Sequence, residues 1–307
     1  MKVAIIGTGG IGGYFGGKIA KAGFDVTFLA RGKQLEALQK NGLTIKSILG
    51  DFHVDSIQAT DSISSIGKCD LIILCNKAWQ LKEIANDLKS ILKDDSVVLP
   101  LQNGVVAADE LETVISKKNI IGGLCRIISK IESPGVINHF GITPIIIFGE
   151  LNNSKSNRVE RIKELFDKSG IDSKISDRIT SELWKKFIGI CVSGLLAVTK
   201  STYGEIRELP ETRRMMIDLM NEVYQLSQKM GIQIEPDFVD KSVLAIDKLP
   251  YETTSSLTRD VWEGKPSEIE YQNGTVVRLA ERYNVDVPIN RYVYSCILPM
   301  EKKARVK

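Results

Sequence analysis

The run Gly7-Thr8-Gly9-Gly10-Ile11-Gly12 constrains this chain more than any other feature, because three glycines at that spacing follow an apolar segment and open a helical one. Lys2 to Gly7 reads as a strand, the next stretch as a helix to about Ala22, and Asp25 to Ala30 as a second strand. That is a βαβ unit. In such a unit Gly7 permits the tight turn, Gly9 lets backbone N–H groups approach a pyrophosphate, and Gly12 lets the helix pack closely on the sheet. The helix N-terminus adds unpaired donors and a partial positive charge. A dinucleotide is therefore the expected ligand of the first turn.

The alternation continues. A strand at Leu71 to Asn76, a helix from Leu81 to Leu92 and an apolar Ser96 to Leu101 follow, so a parallel sheet is expected. Then come the strand-sized segments Ile120 to Leu124, Gly135 to Phe140 and Pro144 to Gly149, a helix around Ser156 to Ser169, and a strand-like Ile171 to Ser176. From Asp177 the texture is helical, in Ile179 to Lys200, Thr212 to Met230, Glu235 to Leu249, Ser267 to Tyr283 and Arg291 to Lys303. The expectation is an α/β Rossmann-type N-terminal domain over residues 1–176 and an all-helical C-terminal domain over residues 177–307.

Composition excludes several classes of function. With 307 residues, 43% of them hydrophobic, the chain can bury a core in each of two domains. Its 41 basic and 38 acidic residues are interspersed, which gives no argument for nucleic acid or an anionic membrane as partner. No apolar run approaches the roughly 18 residues of a membrane helix. Met1-Lys2 before an apolar run imitates a signal peptide, but glycines interrupt that run. Five isolated cysteines read as small buried hydrophobes in a reducing compartment, so a cytoplasmic location is expected. Two histidines and no paired cysteines argue against a metal site. His139 reads as a satisfied histidine at a strand end, and Trp184 and Trp262 as packing between helices.

The end of the second strand indicates which dinucleotide. An NAD site needs Asp or Glu there to accept from the ribose 2′-hydroxyl, whereas this chain has Arg31, followed by Lys33. A guanidinium can hold a 2′-phosphate by paired charge-assisted bonds, so NADPH is the expected coenzyme. Lys77-Ala78-Trp79-Gln80 and Gln102-Asn103-Gly104 follow two further strand ends, the edge at which open α/β sheets bind ligands.

These residues resemble the ketopantoate reductases, or 2-dehydropantoate 2-reductases. The resemblance extends through Trp184-Lys185-Lys186, Glu222, Thr254 to Asp260 and Pro266 to Gly274. It implies NADPH-dependent reduction of a 2-oxo acid, with ketopantoate to pantoate in pantothenate biosynthesis as the leading reaction. It also implies a general acid at Lys186, Glu268 beside it, and Ser256 with Asn103 on the substrate. The coenzyme would be held by Gly7 to Gly12, Arg31, Lys77, Gln80, Asn103 and Glu268.

The chemistry wants these groups. Hydride attack on a keto carbon builds an alkoxide, so a donor must protonate that oxygen as charge develops. A substrate carboxylate needs a partner, for which the adjacent hydroxyls of Ser255 and Ser256 are suited. Helical spacing scarcely separates Lys185 from Lys186 relative to an apolar stripe of Leu183, Phe187, Cys191 and Leu195. Stepping by four from Lys186 reaches Ile190 and Gly194, where the family is expected to carry asparagines. If both line the substrate pocket, the wall is apolar and a less polar 2-oxo acid becomes an alternative substrate. Two other readings remain: a hydroxyacid dehydrogenase of the 6-phosphogluconate type, and a non-catalytic NADPH-binding protein. The helical half is compatible with a homodimer.

Overall fold

The structure, a computed structural model, describes residues 1–306. By its contacts the chain divides into two units, Met1–Gln102 with Ala107–Ile179, and Asn103–Val106 with the residues from Thr180 onward.

The first unit opens with β1 (Lys2–Ile6), α1 (Gly10–Lys21), β2 (Asp25–Leu29), α2 (Gly32–Asn41), β3 (Leu43–Ser47), β4 (Phe52–Val54) and β5 (Gln58–Thr60). It continues through β6 (Cys69–Leu74), α3 (Leu81–Leu88), β7 (Leu92–Pro100), α4 (Ala107–Glu112), β8 (Gly122–Ser133), β9 (Val136–Gly149), α5 (Asn157–Lys168) and β10 (Ser173–Ile175). One sheet has the order β5-β2-β1-β6-β7 with every pair parallel. Its central strands are buried on both faces, as the unbroken apolar runs Val3 to Ile6 and Leu71 to Leu74 require. A second sheet, β10-β9-β3-β4 with β8 on β9, is mixed. Here the sequence was only partly legible. Gly135 to Phe140 and Pro144 to Gly149, read as separate segments, are one strand β9, and β3, β4 and β5 gave no period long enough to recognise. His139 is buried inside β9, 2.8 Å from Ser47 Oγ through Nδ1 and 2.9 Å from the Ile142 carbonyl through Nε2.

The second unit contains α6 (Ile179–Ile190), α7 (Val192–Thr199), α8 (Tyr203–Glu208), α9 (Pro210–Lys229), α10 (Phe238–Asp247), α11 (Ser256–Trp262), α12 (Asn273–Tyr283) and α13 (Pro288–Val306). Among its described residues there is no strand. Its core is built on Trp184, Phe187, Leu195, Leu219, Val223 and Ile297, with Trp184 edge-on to Phe187 at 5.5 Å. Two expected helices are interrupted. The segment 179–200 breaks at Cys191, and in 267–283 the α-helix starts only at Asn273 because Ser267 is buried and held by Glu301, whose carboxylate accepts its N–H at 2.8 Å and its hydroxyl at 2.7 Å. No helix of the described residues is long and apolar enough to cross a membrane.

One ion pair of the first unit makes a pH-dependent contribution. Burial alone would raise the carboxyl pKa of Glu150, but the Arg158 guanidinium, at 2.5 Å, and the Ser156 hydroxyl outweigh it and hold it below its ordinary 4.5. A depressed pKa means stability that is fully present above the ordinary value and lost as pH falls through the folded one. Arg158→Ala is expected to lower stability at pH 7 by about 1–3 kcal/mol, because the buried Glu150 carboxylate loses a charged donor that is itself only half-buried, with a smaller difference in acid. Denaturant titrations of the two proteins at both pH values check this.

Candidate functional site

The glycine turn lies between β1 and α1. Gly7 has φ +99°, which favours glycine, and a Cβ there would stand 2.6 Å from the Asn76 nitrogen at the end of β6. At Gly12 a Cβ would come 2.2 Å from the Gly7 carbonyl oxygen. Gly9 differs, because a Cβ on it would meet nothing within 4 Å. Open space therefore lies where the backbone must admit a pyrophosphate. Gly9 also caps α1 without any side-chain hydrogen bond, and the first turn carries no acid, so the helix presents its amides to that space. The residues fit a dinucleotide.

An open cleft of about 220 Å³ adjoins this turn, lined by Thr8, Arg31, Gln34, Asn76, Gln80 and Glu83 among others. Arg31 ends β2 as the extended N-cap of α2, exposed, where an acid would stand in an NAD site. Thr8 is held by its hydroxyl to the Leu29 carbonyl at 2.9 Å. Gln34, invisible from sequence because α2 was, donates to the Thr8 carbonyl at 3.2 Å and accepts from Gly135 N–H at 3.0 Å, which ties the turn to the second sheet. Gln80 accepts from Lys77 N–H at 3.2 Å, and the Lys77 ammonium lies 5.6 Å from the Trp79 ring centroid. Gln102 donates to Asn76 at 3.0 Å, joining the ends of β6 and β7.

Asn103 behaves differently from its neighbour. Read as part of the sheet edge, it belongs by its contacts to the helical unit, where it donates to Glu268 Oε2 at 3.1 Å. Glu268 is buried. A Cβ on Gly104 would stand 2.9 Å from the Tyr271 carbonyl oxygen, so the same loop lies close against 268–271. Two motifs 165 positions apart are thereby joined.

Lys185 and Lys186 are adjacent on α6, and the contacts of Lys185 are well defined. Lys185 donates to Glu235 at 2.7 Å, lies 3.8 Å from Glu182, and sits beside the Phe238 ring. It is committed to a surface ion pair. Lys186 is half-buried on the same helix. Of the expected stripe, Phe187, Cys191 and Leu195 are buried and Leu183 is only half-buried, while Trp184 and Ile188 join the buried face. Burial pushes the Cys191 thiol well above its ordinary pKa, which makes it a packing residue and no nucleophile.

Two expectations for the substrate side need correction. Ser255 and Ser256 do not offer paired hydroxyls, because Ser255 accepts from Thr258 N–H at 3.0 Å and gives its proton to Thr258 Oγ1 at 2.8 Å, whose own proton goes to the Ser193 carbonyl, while Ser256 is exposed. Gly194 offers no open wall: it is buried, and a Cβ on it would meet Asn273 and Val293. Ile190 packs at the edge of the helical core.

Comparison with known proteins agrees with this organisation. The family model "Ketopantoate reductase PanE/ApbA" matches residues 3–153, and its C-terminal counterpart matches residues 178–301. An uncharacterized oxidoreductase, YkpB, of Bacillus subtilis is 30% identical over 298 residues, covering 96% of this chain and 97% of that protein. A 2-dehydropantoate 2-reductase of Nostoc sp. is 31% identical over 294 residues, covering 94% and 91%. The crystal structure of a PanE/ApbA family ketopantoate reductase from Ralstonia eutropha superposes with TM-score 0.91 at 28% identity, over 99% of this chain and all of that one. A D-mandelate dehydrogenase with NADH and anilino(oxo)acetate shares the fold, with TM-score 0.90 at 23% identity over 100% of both chains. With a glycine turn fit for a dinucleotide in one unit and the Lys186 and Glu268 segments in the other, the chain belongs to the ketopantoate reductase family and is an oxidoreductase acting on CH–OH groups.

Proposed function

We propose that this protein reduces ketopantoate to pantoate with NADPH, in pantothenate biosynthesis. The observation that carries the reading is the hydrogen bond from Asn103 to the buried Glu268, which brings two family motifs from distant parts of the chain into one arrangement. Bound at the glycine turn, the reduced nicotinamide would supply the hydride. Gly7 to Gly12 would hold the pyrophosphate through backbone N–H groups and Arg31 the 2′-phosphate, with Gln80 in the cleft wall and Lys77 beside it in sequence. Asn103 and Glu268 orient coenzyme and substrate. Ser256 donates to the substrate carboxylate, and Lys186 gives its proton to the keto oxygen as negative charge builds there. The relatives named as 2-dehydropantoate 2-reductases support the choice of substrate.

Ile190 favours a second reading, a less polar 2-oxo acid, because it stands where the family is expected to carry an amide. A substrate hydroxyl left without a partner costs about 1–3 kcal/mol. The D-mandelate dehydrogenase illustrates that this fold accommodates an apolar 2-hydroxy acid. Steady-state NADPH consumption with ketopantoate, 2-oxoisovalerate and pyruvate separates the readings: a clear preference for ketopantoate upholds the first, and equal or better use of 2-oxoisovalerate the second. No consumption with any 2-oxo acid would favour a protein that only binds the coenzyme.

The coenzyme assignment has its own test. Arg31→Ala is expected to weaken NADPH by roughly tenfold to a hundredfold, the loss of one charge-assisted clamp of about 1.5–3 kcal/mol, and to leave NADH nearly unchanged. Calorimetric titration of both coenzymes reads this directly. Equal affinities of the unaltered protein for NADH and NADPH would overturn it.

A further inference from the structure

A buried polar chain ends at the α6–α7 break, through residues that the proposed reaction leaves without a role. The Glu222 carboxylate of α9 accepts the backbone N–H groups of Ile289 at 2.8 Å and Asn290 at 2.9 Å, at the start of α13. The Asn290 Nδ2 donates to Glu222 at 2.7 Å and to the Leu219 carbonyl at 3.1 Å. With two acceptors facing it, that end of Asn290 has to be its NH2 group. Its carbonyl therefore points at Asn273, 2.9 Å away, so Asn273 must in turn present its own NH2. The second hydrogen of that group goes to the Cys191 carbonyl, at 3.1 Å. Only one set of amide orientations satisfies the chain.

Gly194 makes the last bond possible. A Cβ there would lie 2.4 Å from Asn273 Oδ1 and 2.6 Å from Val293 Cγ1, so a larger residue would push the amide off the carbonyl. Asn273 is fully buried, and among the described residues its Oδ1 has no hydrogen-bond partner. The fold thus tolerates an unpaired acceptor to keep the NH2 end in place. A side chain that inserts into a helix ladder is an established cause of a kink. Cys191 lies five residues after Lys186, roughly one and a half helical turns.

We propose that Asn273, seated on Gly194, is a positioning residue: by holding the Cys191 carbonyl it sets the direction of the last turns of α6 and so the placement of the Lys186 ammonium. The inference rests on the reading of Lys186 as proton donor.

Asn273→Asp tests it in the full-length protein. The substitution puts an oxygen where Nδ2 faced two carbonyl oxygens, so the ionised form repels both while the protonated form donates to one of them. At about pH 8, turnover per coenzyme-titrated active site should fall roughly tenfold to a hundredfold, the scale set by a misplacement of about 1 Å, with NADPH affinity unchanged. Much of the loss should be recovered at about pH 6, where a buried carboxyl is protonated. Gly194→Ala should lower turnover likewise but without recovery in acid. In a Lys186→Ala background, Asn273→Asp should have no further effect. Normal turnover per site in both single variants, or a loss confined to the number of titratable sites, would overturn the inference, because a merely structural residue behaves in that way. Normal turnover in Lys186→Ala would instead remove the proton-donor reading itself.

Discussion

Lys186→Ala is expected to lower turnover by roughly 10²–10⁴-fold while leaving NADPH affinity nearly unchanged, the signature of a group that acts only as the transition state forms. Each factor of ten corresponds to about 1.4 kcal/mol of the barrier. An alkoxide must be protonated as the hydride arrives, and an ammonium held at the keto oxygen does so without waiting for solvent. Lys185→Ala is the matched control, because that side chain is engaged with Glu235 at 2.7 Å. It should change turnover less than about threefold and stability by less than about 1 kcal/mol. Steady-state and single-turnover kinetics on the two variants check the assignment. A mild Lys186→Ala beside a damaging Lys185→Ala would move the proton donor to the neighbour.

Gly12→Ala is expected to abolish useful coenzyme affinity, by more than about 100-fold, and to lower stability by about 1–3 kcal/mol or more. The new methyl would stand 2.2 Å from the Gly7 carbonyl oxygen, 2.9 Å from Ile5 Cγ2 and 3.0 Å from Cys75 Cβ, and neither a backbone oxygen nor a buried strand residue can give way cheaply. The start of α1 must shift, and the amides that face the pyrophosphate shift with it. Gly9→Ala separates the two effects. It meets no described atom within 4 Å, so it should lower stability by no more than the roughly 1 kcal/mol of a poorer N-cap, yet a methyl projecting into the pyrophosphate space should weaken NADPH at least tenfold. Thermal melts paired with fluorescence titration of NADPH make the comparison. Unchanged coenzyme affinity in Gly9→Ala would mean that the phosphates do not approach the turn there.

Local rules account for the part of the fold that is legible in the sequence. The glycine turn, the βαβ opening and the change to helical texture after Asp177 are short-range properties: a backbone at φ +99° favours glycine, and periods of two and about 3.6 residues follow from the geometry of one element. Arg31 was legible for the same reason, since its place at the end of β2 depends only on the strand that precedes it. The short strands β3 to β5 escaped notice because three to five residues carry too little periodicity, and they form only against partners elsewhere in the chain.

Around the candidate site the decisive contacts are long-range. Asn103 looked like one half of a turn signal until its hydrogen bond to Glu268, 165 positions away, gave it to the helical unit. Lys185 and Lys186 are nearly equivalent by helical spacing, and the Glu235 carboxylate, 50 positions on, engages the first of them. Gly194 read as a missing asparagine in a substrate wall; it is the seat of Asn273, whose amide reaches across 82 positions to the carbonyl of Cys191. The sequence by itself determined the two-unit α/β and helical architecture and the glycine turn fit for a dinucleotide, because those follow from local backbone preference and periodicity. The tertiary structure alone decided where α6 breaks, that Glu235 engages Lys185 and which motifs meet, because each depends on hydrogen bonds between residues that only the folded chain brings together.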